Sequence, residues 1–393
     1  MPGKKILICT QKVDKNDDLL GFFHSWIAEF ARQCESVAVV CLYQGEYDLP
    51  VNVKVMSLGK ESSNFRFQIS DFRFILKIKY FFRFYKYIWQ ERRNYDVVFV
   101  HMNPIYVILG GLFWRLNGKK IGLWYAHGHV PPELRIAEKF VDHIFTSTAG
   151  GCRIVSDKIR VVGQGVGRMP NAECRMASDG YRMPNAECRM ASGEGILNKI
   201  NKNSKLDIRH LTLILITIGR IAPIKNLEIL IKAVEILVKK GIDIKLNIVG
   251  AIGLAEHKEY YESLVKLVKE KGLEGRVNFI GSVPNTKIAQ HLRAADVFVS
   301  ASTTGSLDKV FLEAIGSGLP VIGCNEALLE VIREYENKLF YPSGDFSALA
   351  KKIEEISNMD NNERTAMINH LRAVAEKEHG LVGLVKKIID LFF

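Results

Sequence analysis

Short runs of apolar residues recur along the first half of this chain, and each is followed by a longer segment with helical periodicity. The runs occupy residues 4–10, 36–42, 51–58, 95–102, 120–126, 143–147 and 159–162. A strand that is apolar on both faces needs a covering layer on each side, and the helical connections between parallel strands supply those layers. The first half therefore predicts an α/β domain with a doubly wound parallel sheet.

The second half repeats this alternation. Its predicted strands are residues 212–218, 244–249, 277–280 and 297–300, and its predicted helices are residues 226–240, 256–271 and 286–295. Three further helical patterns follow at residues 345–357, 361–377 and 381–393. We expect these helices to pack on the outside, the last one crossing back to the first domain. Because 393 residues are more than one domain usually contains, we predict two Rossmann-like domains that face a shared cleft.

A perfect repeat separates the two halves. The segment RMPNAECRMAS occupies residues 168–178 and recurs at residues 182–192. Its small and polar residues have no apolar period with which to bury a core, so we predict a disordered surface insertion. A redox pair of Cys174 and Cys188 is the alternative. The predicted parts of the chain are an N-terminal domain of residues 1–166, a linker insertion of residues 167–205, a C-terminal domain of residues 206–375, and a returning helix of residues 376–393.

Charge and cysteine content narrow the partners and the compartment. The net charge of +11 favours anionic partners, such as nucleotide phosphates, an acidic membrane surface or nucleic acid. The seven cysteines form no CxxC pair and no cysteine–histidine spacing, which argues against a zinc site and favours a reducing, cytoplasmic location. The sequence has neither a signal-peptide pattern nor an apolar run of the roughly 18–20 residues that a membrane-spanning helix needs. We therefore expect that the protein is not integral to a membrane.

Two loops of the second half favour an anionic ligand. Residues 302–322, STTGSLDKVFLEAIGSGLPVI, open with small residues and continue as a short helical pattern that carries Glu313. A turn of small residues before a helix is a favourable anion site, because free backbone N–H groups and the helix dipole point at the same place. An earlier strand-to-helix loop carries Arg220 and Lys225, a forked guanidinium and a mobile point charge. Two surface cations in a solvated loop are the alternative for this pair.

Four motifs carry a resemblance to a known family. They are GRIAPIKN at residues 219–226, IVG at residues 248–250, FIGSVP at residues 279–284, and Glu313 followed by GLP at residues 318–320. In this order they resemble the signature of family 4 retaining glycosyltransferases. The resemblance implies the GT-B fold, a UDP-, GDP- or ADP-sugar as the donor, and neither a catalytic metal nor another cofactor.

The resemblance also implies roles for residues of the C-terminal domain. It places Arg220 and Lys225 on the donor diphosphate as catalytic residues, since fixed cations stabilise charge that develops on a leaving group. It places Glu313 on the ribose hydroxyls, with a partly exposed helix acid as the alternative. The other donor-binding residues that it implies are Gly219, Gly250, Ser282, Val283, Thr304, Gly305, Ser306, Leu307, Asp308, Lys309 and Val310. Many relatives carry a first glutamate where Gly305 stands, so backbone N–H groups and Asp308 have to supply the contact with the sugar.

The first domain contributes candidate residues on the acceptor side. The motif WYAHGH ends a predicted strand, and relatives carry a histidine at this place, close to the reacting sugar. His127 matches that place better than His129, which we assign to the acceptor side. A neutral imidazole can orient a hydroxyl, and capping of the next helix is the alternative. Gly21, in the loop of residues 14–22, matches the place where relatives approach donor phosphate and acceptor, although their double glycine is missing.

Residues 65–93 combine eleven aromatic and eight basic residues with only two acids. This mixture favours a helix at the surface of an anionic membrane, where rings enter the headgroup boundary and cations meet anionic lipid. A core helix with solvated cations is one alternative. RNA binding through stacking and charge is the other, and we rank it last.

These features predict a retaining hexosyltransferase that moves a sugar from a nucleotide-diphospho-sugar to a lipid-linked or polysaccharide acceptor in envelope glycan biosynthesis. We expect it in the cytoplasm, peripherally on the inner face of the membrane. A nucleotide-sugar 2-epimerase of the same architecture is one alternative, although it needs carboxylates and histidines clustered at the cleft. A non-catalytic, membrane-surface nucleotide-sugar-binding protein is the other, and the missing first glutamate and the insertion that begins at Gly167 leave it open.

Overall fold

The computed structural model describes residues 3–17, 20–61, 70–167 and 212–393, without the side chains of residues 70–77 and of Thr286. The chain divides into two compact units. The first unit comprises Met1–Gly167 and Glu378–Phe393, and the second comprises Arg168–Lys377. The predicted insertion lies outside the described residues from position 168 onward, and so do its repeat and the pair of cysteines in it.

The first unit is built on a seven-stranded parallel sheet with the order β3-β2-β1-β4-β5-β6-β7. Its strands are β1 (Lys5–Val13), β2 (Ser36–Gln44), β3 (Val53–Ser57), β4 (Val97–His101), β5 (Lys120–Trp124), β6 (His143–Thr146) and β7 (Ile159–Val161). Strand β1 is central, since Ile6 aligns with Val37 of β2 on one side and with Val97 of β4 on the other. The order runs outward from β1 and then restarts beside it at β4, as in a doubly wound sheet.

The second unit contains a five-stranded parallel sheet with the order β10-β9-β8-β11-β12. Its strands are β8 (Leu213–Ile218), β9 (Ile244–Val249), β10 (Val277–Gly281), β11 (Val297–Ser300) and β12 (Val321–Gly323). The order reverses between β8 and β11, which is the topological switch point of this sheet. The predicted pair of doubly wound α/β sheets is therefore confirmed.

Helices connect the strands and follow the last one. Within the described residues they are α1 (Gly21–Gln33), α2 (Ser70–Glu91), α3 (Pro104–Leu116), α4 (Pro132–Glu138), α5 (Leu227–Lys239), α6 (Lys258–Glu270), α7 (Asn285–Arg293), α8 (Lys309–Gly316), α9 (Leu329–Ile332), α10 (Glu336–Leu339), α11 (Phe346–Ser357), α12 (Asn361–His379) and α13 (Leu381–Phe392). Most bounds lie within a few residues of the predicted ones. Strand β1 extends to Val13 because its end still pairs with Gln44 of β2.

Side chains of β1 alternate between two cores on opposite faces of the first sheet. Ile6 and Ile8 belong to one cluster, and Leu7 and Cys9 belong to the other. All four side chains are fully buried. Residues of α1 and α13 cover the first cluster, whereas residues of α2, α3 and α4 cover the second. This two-sided burial explains why the strands are continuously apolar.

The C-terminal helix α13 completes the first unit. Leu384, Ile388 and Phe392 lie one helical turn apart and are at most 1% exposed. The ring of Phe392 lies 5.6 Å from that of Phe145, and the Phe392 carbonyl accepts a hydrogen bond from Lys120 Nζ at 2.6 Å. The predicted return of the last helix to the first domain is thus confirmed.

Helix α2 presents two different faces. Phe84 and Ile88 are buried in the core, whereas Ile78, Phe82 and Trp89 are 40%, 66% and 57% exposed. The core-helix interpretation therefore accounts for only one side of this basic, aromatic helix. In the described part of the chain, we find no helix that is both long and apolar enough to cross a membrane.

Candidate functional site

The loops after β8, β9 and β10 are joined at the carboxyl edge of the second sheet. The Gly219 N–H donates to the Val249 carbonyl at 2.9 Å, and the Gly250 N–H donates to the Gly281 carbonyl at 2.8 Å. Gly250 has a φ of +144°, and a Cβ there would lie 1.9 Å from the Gly219 carbonyl oxygen. This position therefore requires glycine. The predicted Ser282 and Val283 follow Gly281 directly, two strands away from β8.

The loop after β8 is tied to the loop after β11 across the switch point. Asn226 adopts a left-handed conformation with a φ of +45°, and its Nδ2 donates to the Ala301 carbonyl at 3.0 Å. The Thr303 N–H donates to the Ile224 carbonyl at 3.3 Å. Ile224 lies in a short 3-10 helix that ends at Lys225, and Asn226 follows it. The two hydrogen bonds therefore hold Lys225 beside the residues that follow β11.

The ammonium group of Lys225 is held by the turn of residues 302–308. Its Nζ lies 2.7 Å from Asp308 Oδ2 and 3.3 Å from Ser302 Oγ. The side chains of Lys225 and Asp308 are 20% and 18% exposed. A Cβ at Gly219 would lie 3.5 Å from Lys225 Cε, so that glycine leaves room for the lysine stem. The predicted Gly219, Lys225 and Asp308 are thus brought together.

The same turn is supported by Asn325, a residue that the sequence analysis did not identify. Asn325 is 3% exposed, and its Nδ2 donates to the Ser306 carbonyl at 2.7 Å. The Oδ1 atom accepts from the Ala327 N–H at 3.1 Å. Thr304 Oγ1 also donates to the Ser306 carbonyl, at 3.3 Å, and Gly305 has a φ of +71°. The position of Asn325 just after the apolar strand β12 is the sequence signal that could have indicated it.

Helix α8 carries the predicted Lys309, Val310 and Glu313. Glu313 Oε1 lies 3.7 Å from Lys309 Nζ, one helical turn away, and the two side chains are 14% and 19% exposed. Burial lowers the pKa of Lys309 to about 8, and the charge of Glu313 opposes that shift. Glu313 is therefore a largely buried acid with a cationic neighbour. Its role on a ribose stays a prediction.

The predicted Arg220 lies on the other side of the β8 loop. Its side chain is exposed, and its Cβ and Cδ lie 3.3 and 3.4 Å from the position that a Cβ at Gly253 would occupy. The His257 Nδ1 atom lies 3.1 Å from the same position. Arg220 is therefore placed beside the loop that follows β9, a second cation at the same edge of the sheet.

The predicted histidines of the first unit lie after β5. Both are exposed, and the His129 N–H donates to His127 Nδ1 at 3.2 Å. Tyr125 Oη donates to the His129 carbonyl at 2.9 Å, and His127 pairs with Cys152 through a backbone bridge. The N-cap of α4 is Pro131, with no side-chain capping bond, so these histidines do not cap that helix.

Gly21 begins α1. Its N–H donates to the Asp17 carbonyl at 3.0 Å, and a Cβ there would lie 3.0 Å from the Lys15 carbonyl oxygen. This close approach favours glycine at the turn. The contact with donor and acceptor that was predicted for Gly21 stays a prediction.

Among the described residues we find no group of three or more His, Cys, Asp or Glu side chains that could hold a metal ion. The polar groups that the structure does assemble at the switch point are a lysine, an acid and several hydroxyls. A lysine ammonium held beside hydroxyl groups at the carboxyl edge of a parallel sheet is suited to a phosphate ligand.

Residues 198–374 match the family of glycosyl transferases group 1. Over 168 residues the chain is 26% identical to the capsular polysaccharide biosynthesis glycosyltransferase CapM of Staphylococcus aureus. This match spans 41% of the chain and only 40% of the length of CapM.

Solved structures share the fold over nearly the whole chain. HepE of Anabaena in complex with UDP has a TM-score of 0.67 and 17% identity, with 98% of this chain and 99% of HepE covered. Sucrose-phosphate synthase from Thermosynechococcus elongatus has a TM-score of 0.70 and 15% identity, with 99% and 98% covered. At such identities the likeness shows the fold alone, which is the GT-B fold of two Rossmann-like domains.

Proposed function

We propose that the protein is a retaining hexosyltransferase that uses a nucleotide-diphospho-sugar donor. The observation that carries this proposal is the position of Lys225, fixed over the turn of residues 302–308 at the switch point of the second sheet. Ligands of open α/β sheets bind at such points. The group 1 match covers the same residues, and the related HepE was crystallised with UDP and with UDP-glucose.

The chemistry assigned to the site is stabilisation of a leaving group. The bond between the sugar and the diphosphate breaks, the acceptor hydroxyl oxygen forms its bond to the same sugar carbon on the same face, and the hydroxyl proton passes to the departing diphosphate oxygen. Negative charge develops on the departing diphosphate, and Lys225 and Arg220 supply preorganised cations for it. Glu313 is proposed to accept hydrogen bonds from the ribose hydroxyls, and His127 to orient a hydroxyl of the donor sugar or acceptor.

The absence of a side chain at Gly305 affects how the donor sugar can be held. Because no side chain extends from this position, the sugar is proposed to contact backbone N–H groups of residues 304–309 and the Asp308 carboxylate. The proposed acceptor is a lipid-linked glycan or polysaccharide of the cell envelope. The similarity to CapM, a capsular polysaccharide enzyme, supports that choice.

Release of the nucleoside diphosphate from UDP-, GDP- and ADP-sugars tests the proposal. We expect turnover with one of them, and a decrease of about 100- to 1,000-fold in Lys225→Ala, the range seen when one stabilising group is removed. The exposed Lys245 on β9 offers a matched control, and Lys245→Ala should retain full activity. Binding without turnover would favour a non-catalytic nucleotide-sugar-binding protein. A product changed only at C2 of the donor sugar would favour the epimerase.

We further propose that the exposed face of α2 and the adjacent α3 docks on an anionic membrane, with the protein peripheral on its cytoplasmic side. The Trp89 ring lies 5.9 Å from that of Phe113 on α3, and the Arg92 guanidinium lies 4.3 Å above Trp89. On α3, Leu112 and Leu116 are 61% and 79% exposed. Apolar side chains interleaved with cations are suited to the headgroup boundary.

Co-sedimentation with vesicles tests the membrane proposal. We expect binding to phosphatidylglycerol vesicles at low salt, weaker binding at high salt because of screening, and little binding to phosphatidylcholine. Phe82→Ser should weaken binding, whereas Val51→Ser, which alters another exposed apolar residue of the first unit, should not. Equal sedimentation of the two variants would refute the assignment of this face.

A further inference from the structure

The cation proposed to hold the donor diphosphate already has an anion in contact. Lys225 Nζ and Asp308 Oδ2 are 2.7 Å apart, the distance of a charge-assisted hydrogen bond. Both side chains are about four-fifths buried. Screening by solvent is therefore weaker here than for a fully exposed ion pair.

The Asp308 carboxylate is not engaged in the role that its position normally favours. Asp308 is the N-cap residue of α8, where an aspartate usually accepts hydrogen bonds from the first backbone N–H groups of the helix. No such side-chain capping bond is present. The carboxylate instead reaches Lys225, while its Oδ1 lies 3.5 Å from Thr304 Oγ1.

We propose that Asp308 competes with the donor diphosphate for Lys225. This inference rests on the proposed function of the site. A carboxylate and a phosphate are both anionic, so they cannot share one ammonium group without mutual repulsion. Donor binding then requires Lys225 to exchange Asp308 for the diphosphate. The freed carboxylate has two oxygens, of which one can accept from the first backbone N–H groups of α8, since that helix begins at the next residue, and the other can contact the donor sugar.

The exchange has two consequences for turnover. It weakens the binding of donor and of nucleoside diphosphate alike, because each has to displace the carboxylate. It also speeds release of the product, since Asp308 returns to Lys225 as the diphosphate leaves. Product release limits the turnover of many enzymes, so an internal competitor trades donor affinity for faster release.

Calorimetric titration with UDP, GDP and ADP tests the proposal. Asp308→Asn keeps the size of the side chain and removes its charge, and we expect it to lower the Kd of the preferred nucleotide by about five- to thirty-fold. Asp308→Ala serves as a second variant, since asparagine can still hydrogen-bond Lys225. Glu326→Gln is the matched control, because Glu326 is exposed and lies just after the supporting Asn325; its Kd should equal that of the wild type.

A double variant separates exchange at Lys225 from general repulsion. In a Lys225→Ala background, Asp308→Asn should raise the affinity much less than in the wild type, because the contested cation is gone and only direct repulsion of the diphosphate is relieved. A gain as large as that in the wild-type background would overturn the exchange. Unchanged or weaker binding by both Asp308 variants, while Lys225→Ala also weakens binding, would overturn the inference and leave the proposed function intact.

The remaining outcomes are also decisive. If the wild type binds no nucleotide but Asp308→Asn does, the competition is supported in its strongest form. If neither binds UDP, GDP or ADP, the inference and the proposed function both fail. A thermal unfolding curve of each variant verifies that it is folded before the titration is interpreted.

Discussion

Replacing Asn325 by alanine tests how the turn of residues 302–308 is held. The substitution removes the bond from Nδ2 to the Ser306 carbonyl and the bond from the Ala327 N–H to Oδ1. Each bond contributes about 1 kcal/mol, and a buried donor left without a partner costs a further 1–3 kcal/mol or so. Asn325 is 3% exposed, so water does not readily replace the lost groups. We expect Asn325→Ala to destabilise the second unit by about 2–4 kcal/mol.

The assay has a built-in reference. All four tryptophans lie in the first unit, at positions 26, 89, 114 and 124. Tryptophan fluorescence during urea unfolding therefore reports the first unit, and hydrogen exchange of α5, α8 and α11 reports the second. Asn325→Ala should lower protection in the second unit and leave the fluorescence midpoint unchanged.

A matched variant separates the two bonds of Asn325. Asn325→Asp retains an oxygen for the Ala327 N–H but places a second oxygen against the Ser306 carbonyl. It should therefore disturb the turn and the binding of UDP while largely retaining the bond from the Ala327 N–H. Protection of the second unit within 0.5 kcal/mol of wild type in Asn325→Ala, together with an unchanged Kd for UDP, would refute the reasoning, since surface substitutions alone vary by about that much.

Three further predictions concern burial, backbone strain and the returning helix. Burial lowers the pKa of Lys309 from 10.5 to about 8, so between these pH values the unfolded state binds more protons than the folded state. The stability of the second unit should therefore rise with pH over this range in the wild type relative to Lys309→Met, as measured by hydrogen exchange. Gly250→Ala places a Cβ 1.9 Å from a backbone oxygen and should lower the free energy of unfolding by well over 2 kcal/mol. Gly241→Ala, at a φ of +81° but in open space, should lower it by only about 1–2 kcal/mol, and equal losses of stability would contradict the packing argument. Ile388→Ala should destabilise the first unit by about 2–4 kcal/mol in tryptophan fluorescence, and the 60% exposed Val382 supplies a control whose alanine variant should change little.

The strands and their layers followed from the sequence because they depend on local pattern. Ile6, Leu7, Ile8 and Cys9 are consecutive apolar residues, and only a strand covered on both faces buries all of them. The return of the last helix followed from the same reasoning, since no strand remained for it to precede. The apolar patterns that predict strands and helices are each contained in a short stretch of consecutive residues.

The contacts of the site could not be predicted in the same way. The pairing of Lys225 with Asp308 joins residues 83 positions apart, and the bond from Asn325 to Ser306 joins residues 19 positions apart. Neither contact has a local period. The pairing of Lys309 with Glu313 is different, because a spacing of four residues on one helix indicates it directly.

Helix α2 shows a third situation. Its composition predicted an interfacial or a buried helix, and the two interpretations apply to different faces. Phe84 is 1% exposed and Phe82 is 66% exposed, although both are phenylalanines two residues apart. Composition does not distinguish such positions. The angular position of each residue around the helix decides which side meets the core.

The packing of α13 has a consequence for the order of events during synthesis. Residues 381–392 supply Leu384, Ile388 and Phe392 to a core whose strands were translated more than two hundred residues earlier. Until those residues leave the ribosome, one face of the first sheet is covered by α1 alone, and the part that α13 covers presents apolar side chains to solvent. Domains generally complete folding from the N-terminus onward. Here the first unit can be completed only after the second has been synthesised, so the nascent chain has to carry an exposed apolar surface that is a natural ligand for chaperones.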